Sequence, residues 1–122
     1  MICNSVIVDN LEKLTLDNIY FRKVISTSPT AQLVLMSIQP GDSIGMESHP
    51  GITQFFRIES GEGIAVVGFD QAKLSDGSFV FVHPGVKHNI INTSKTKPLK
   101  LYTIYSPPNH PCNRIDMLNQ HD

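Results

Sequence analysis

The sequence predicts an all-β fold, a jelly-roll barrel of eight or more short strands, on three observations. From Phe21 onward the chain is a succession of short segments rich in β-branched and aromatic residues. Turn residues punctuate them at Pro40-Gly41, Gly61-Glu62-Gly63, Asp76-Gly77 and Pro84-Gly85. The spacing is short and regular, which favours a sandwich or barrel over alternating β/α units.

The elements follow in order. Residues 11–20, LEKLTLDNIY, suit a turn of helix or an irregular lead-in, because Thr15, Asn18 and Ile19 weaken a longer helix. The strand candidates are FRKVIS, AQLVLMSI, IGMESH, TQFFRIES, GIAVVGF, QAKL, SFVFV, HNIIN and LKLYTIY. The last stretch, SPPNHPCNRIDMLNQHD, carries three prolines, so it is no central strand and must lie over the barrel or hang free.

Composition narrows the function classes. A chain of 122 residues is enough for one domain, 1–122, with a real core. The net charge is -1 with no basic block, so no nucleic-acid surface is expected. Lys73, Lys87, Lys95, Lys97 and Lys100 read as solvated turn and edge positions. The N-terminal stretch has no basic n-region, and no apolar run approaches the ~18 residues of a membrane span, so neither a signal peptide nor a membrane partner is expected. Cys3 and Cys112 lack zinc spacing and are expected to be free thiols in a reducing, cytoplasmic compartment.

Two blocks carry the chemistry. In residues 41–61, GDSIGMESHPGITQFFRIESG, Gly41 is followed by Glu47-x-His49, then Gln54, then Gly61. In a strand, Glu47 and His49 would share one face. Gln54 would point inward with Phe56 and Ile58, leaving Phe55, Arg57 and Glu59 outward. The second block, GSFVFVHPGVKHNIIN, supplies His88, with Ile90 and Asn92 on its own face. Four polar side chains can thus converge inside an apolar barrel, where an unpaired charge is costly and a cation explains the set economically. The alternative is a polar cluster that satisfies itself through hydrogen bonds around a buried water. Two imidazoles with oxygen donors suit Zn, Mn, Fe, Co or Ni without choosing among them.

These blocks resemble the two cupin motifs, G-x5-H-x-H-x4-E-x6-G and G-x5-P-x-G-x2-H-x3-N, across about residues 32–106. Glu47 stands where the first His is usual, Gln54 where Glu is usual, and His83 where the first Pro is usual. The resemblance implies a cupin jelly-roll β-barrel (a double-stranded β-helix), often a homodimer, with a divalent metal held at Glu47, His49, Gln54 and His88. The site keeps four candidate ligands and one carboxylate, moved from one position to another, which looks like rearrangement rather than loss. A Gln in the fourth slot is similar to small cupins that open the ring of unsaturated uronates. A mixed Gln/His/Glu/His set is similar to cupin-type phosphomannose isomerases.

The remaining residues are weighed on position. Tyr105 follows Leu99, Leu101 and Thr103 by period two, so its phenol can face the pocket as a proton donor or simply pack there. His110 can reach the barrel mouth as a lid residue or lie exposed in the tail. Phe79, Phe81 and His83 share a face that can line the barrel, and His121 is terminal. Three functions remain open for a small-molecule substrate or ligand. One is a metal-dependent isomerase or ring-opening enzyme on a sugar acid or sugar phosphate, with Tyr105 and His110 as catalytic candidates. The second is an iron-dependent dioxygenase, and the third a non-catalytic binding cupin.

Overall fold

The computed structural model describes residues 6–119; Cys3 and His121 lie outside that range. One short helix, α1 (Leu11–Asp17), precedes β1 (Arg22–Thr27), β2 (Gln32–Ile38), β3 (Thr53–Ser60), β4 (Gly63–Val67), β5 (Asp70–Leu74), β6 (Phe79–Val82), β7 (His88–Asn92), β8 (Leu99–Ser106) and β9 (Ile115–Asp116). The strands form two antiparallel sheets, ordered β6-β3-β8-β2-β1-β9 and β5-β4-β7. This is the jelly-roll arrangement expected from the strand spacing.

Alternation builds the core. β3, β7 and β8 bury every second residue. Phe56, Ile58, Leu99 and Leu101 from the larger sheet thereby meet Ala65, Leu74 and Ile90 from the smaller one in a single cluster. Fully burying each such side chain contributes about 1.5–3 kcal/mol. Asn92, also inward, is satisfied in place: its Nδ2 donates to the carbonyls of Ile38 and Lys97, and its Oδ1 accepts from the Ser94 amide.

The lead-in is helical because Asn10 caps it, accepting from the Lys13 amide at 2.9 Å. Lys100 departs from the expectation of a solvated lysine: it is partly buried, and its Nζ donates to the Asn18 carbonyl, tying the helix end to β8. Burial lowers its pKa, with the Asp17 charge opposing.

Three further expectations are corrected. The segment IGMESH is not a strand; it meets β7 through the isolated bridge of Glu47 to His88, the bridge of the preceding Ser43 to Ile91, and the Gly45 amide, which donates to Asn89 Oδ1. Gly45, at φ +97°, turns the backbone out of extended geometry between them. In β6 it is Val80 and Val82 that face the core, while Phe79, Phe81 and His83 are exposed. Every β6 residue is apolar, so alternation could not say which set turned inward. Cys112 is disulfide-bonded, not a free thiol. The tail returns to the N-terminal side of the sheet, where β9 pairs with β1 at Arg22 and Lys23, a proximity that sequence separation conceals.

Candidate metal centre

Four side chains meet between the sheets near one end of the barrel. Glu47 and His49 come from the loop between β2 and β3, Gln54 from the start of β3, and His88 from the start of β7. The loop is docked by reciprocal backbone hydrogen bonds of 2.9 Å between Glu47 and His88. That bridge does what a strand was expected to do: it sets Glu47 beside His88. Candidate ligand atoms of Glu47, His49 and His88 lie within 4.8 Å of one another. His88 and Gln54 are each 1% exposed, whereas the Glu47 side chain keeps 28%, so the cluster opens to solvent on the Glu47 side.

Hydrogen bonding inside the cluster is unbalanced. His88 Nδ1 lies 2.9 Å from the Val86 carbonyl, which can only accept, so Nδ1 carries the proton. Nε2 of the neutral ring then offers a lone pair. It faces Gln54 Oε1 at 3.0 Å and Glu47 Oε1 at 3.7 Å, two further acceptors. Gln54 Nε2 is turned away and donates to Thr103 Oγ1 at 3.0 Å. His49 Nε2 is buried without a hydrogen-bond partner, with Glu47 Oε1 standing 3.3 Å away. Lone pairs converging on one point, with one ring nitrogen orphaned, fit a cation. Two imidazoles, a carboxylate and an amide oxygen form a donor set suited to a divalent transition metal.

A second pair of groups stands next to the first. The rings of His49 and Tyr105 are 5.9 Å apart, and Tyr105 meets His110 edge to face at 5.2 Å. His110 Nε2 is 3.3 Å from the Tyr105 hydroxyl. Burial, then the Glu47 charge, push the Tyr105 phenol above its ordinary range, while Arg22 and the Asn109 and Gln54 side chains oppose this. Burial also lowers His110 to about 4, with the Arg22 and Arg114 cations adding to the effect. At neutral pH the pair is therefore a protonated phenol beside a neutral imidazole.

His83 is remote from this chemistry, exposed with its ring against Phe81 at 5.8 Å. Arg57 is paired outward with Glu59 at 3.2 Å. Sequence reasoning passed over Gln32 and the group of Arg22, Arg114 and Asp116. In the latter, Asp116 accepts from both arginines beside the tail. The signal for Gln32 was an amide on the inward set of β2, in register with Val34, Met36 and Ile38.

An antiparallel barrel with a Glu-His-His cluster between its sheets defines a jelly-roll domain with a candidate metal centre. The chain belongs to the Cupin_2 family of cupin domains, which residues 34–105 match. It is 47% identical over 117 residues to an uncharacterized protein of Acanthamoeba polyphaga mimivirus, covering 93% of this chain and 73% of that one. It is 44% identical over 114 residues to the uncharacterized protein YrkC of Bacillus subtilis, covering 88% of this chain and 61% of that one. The crystal structure of BH2720 from Bacillus halodurans superposes with a TM-score of 0.90 at 38% identity, over 93% of this chain and 89% of that one.

Proposed function

We propose that this cupin is a metal-dependent enzyme that isomerises or ring-opens a small sugar acid or sugar phosphate. The observation that carries the reading is the juxtaposition of two different chemical devices: a cation-ready cluster and a neutral Tyr105–His110 pair beside it. Glu47, His49, Gln54 and His88 would hold a divalent metal, which supplies Lewis-acid polarisation of a carbonyl or hemiacetal oxygen. Tyr105 keeps its proton at neutral pH and is placed to donate it to an oxygen bound in the mouth. His110, neutral over the same range, fixes the phenol through its ring nitrogen.

The reading is tested with a panel of uronates and sugar phosphates incubated in D2O with the metal-loaded protein. Isomerised or ring-opened product should appear in the NMR spectrum, and Tyr105→Phe should slow its formation by roughly 10²–10⁴-fold with metal content unchanged. Metal-loaded protein inert toward the whole panel would defeat the reading. A second reading, an iron-dependent dioxygenase, is favoured by one observation: two imidazoles and one carboxylate in mutual reach match the ligand types of the facial triad. Oxygen consumption by the iron-loaded form would distinguish it.

The same proposal includes a homodimer. β6 is an edge strand without a charged residue between 79 and 82, and Phe79 and Phe81 are 65% and 54% exposed. With Phe55 and Tyr102 they form one aromatic patch on the outer face. An uncharged, flat edge is an aggregation hazard unless closed, and two-fold pairing with a second copy closes it. Arg57, ion-paired to the covered Glu59, leaves part of its own side chain exposed on the same outer face. The cytoplasmic residence expected from free thiols loses that ground, because the disulfide at Cys112 is of a kind commoner in oxidising compartments. No helix among the described residues is long and apolar enough to cross a membrane.

A further inference from the structure

Gln32 opens β2 on the core side, yet it is an amide and only 1% exposed. A buried amide needs partners for two N–H groups and a carbonyl oxygen. The C-terminal tail supplies most of them. Gln32 Nε2 donates to the His110 carbonyl at 2.7 Å and to Thr27 Oγ1 at 2.9 Å. Its Oε1 accepts from the amides of Asn109 at 3.1 Å and His110 at 3.0 Å. Residues 109 and 110 belong to no strand, so a single side chain takes the place of a sheet ladder.

The consequence reaches the ring of His110. Arg114 Nη1 lies 3.5 Å from His110 Nδ1, and Asn109 Nδ2 lies 3.4 Å from His110 Nε2, each a group that can only donate. Nε2 also stands 3.3 Å from the Tyr105 hydroxyl. The place of the ring against the phenol is thus set by where residues 109 and 110 are held. Other anchors act further along: Cys112 is disulfide-bonded, and Asp116 binds Arg22.

We propose that Gln32 is a positioning residue for the Tyr105–His110 pair. Its buried amide pins residues 109–110 over the barrel mouth and thereby holds the His110 ring against the Tyr105 hydroxyl. The role of that pair in turnover rests on the proposed function; the latch itself does not.

The test is ¹⁵N NMR on the protein as purified and on Gln32→Leu, with metal content measured on both. In the wild type the amides of Asn109 and His110 should be protected, and the His110 ring should show one set of ring shifts. Gln32→Leu should speed exchange of both amides by about tenfold or more and shift or broaden the His110 ring signals, with metal content unchanged. A folded Gln32→Leu with unaltered exchange and ring shifts overturns the proposal. Should that variant not fold, the wild type decides: amides 109 and 110 exchanging like an unstructured chain overturn it, and protection like that of β8 sustains it. Failure of the metal or isomerase reading leaves these NMR outcomes untouched, so the two fail separately.

Discussion

One hydrogen bond at His88 decides what its ring can do. Because the Val86 carbonyl accepts from Nδ1–H, Nε2 of the neutral ring presents a lone pair toward two oxygens, an arrangement that a cation between them would satisfy. The swap of Glu and Gln at positions 47 and 54 is consistent with this: the carboxylate sits on the solvent side and the neutral amide in the fully buried slot. His110 makes a separate prediction. Its folded pKa, about 4, lies below the ordinary 6.5, so between these values the unfolded chain binds more protons than the folded one. Stability from this group is complete above about 6.5 and is lost as pH falls toward about 4. Denaturant melts across that window should show the decline, and His110→Asn should flatten it. An identical decline in the variant would show that His110 is not its source.

At the scale of elements, β4 is fixed by a close approach. A Cβ on Gly63 would lie 2.3 Å from the Ile91 backbone oxygen, where β4 pairs with β7. Gly63→Ala should therefore destabilise the fold by about 1–3 kcal/mol, read from denaturant midpoints, and a neutral result would contradict this register. The inward sets of β3, β7 and β8 are legible because strand geometry repeats every two residues, which carries Gln54 with Phe56 and Ile58, His88 with Ile90 and Asn92, and Tyr105 with Leu99, Leu101 and Thr103. That period could not orient β6, where Phe and Val alternate and both faces are apolar. The Glu47–His49 segment reads as a strand although Gly45 breaks it, and the Glu47–His88 bridge takes the place of a ladder in setting Glu47 beside His88. The tail was legible only as a non-strand. Its fixation depends on Gln32, 77 residues from Asn109, a pairing that no local pattern carries.

At the scale of the whole molecule, the outer aromatic patch and the interior cluster make independent claims. Light scattering should give a dimer of the 13.5 kDa chain, and Phe81→Glu should shift it to monomer while leaving metal content intact. A monomeric wild type would remove the two-fold pairing and nothing else. This chain spans 73% and 61% of the length of the two curated relatives it matches. The central claim is that the rearranged Glu-His-Gln-His set is a working metal centre. Elemental analysis of the protein purified without added metal tests it most directly. The account predicts one divalent transition metal per chain, lost in His49→Ala and in His88→Ala. Metal-free protein whose melting temperature is unchanged by chelator or by added zinc, manganese, iron, cobalt or nickel would contradict it.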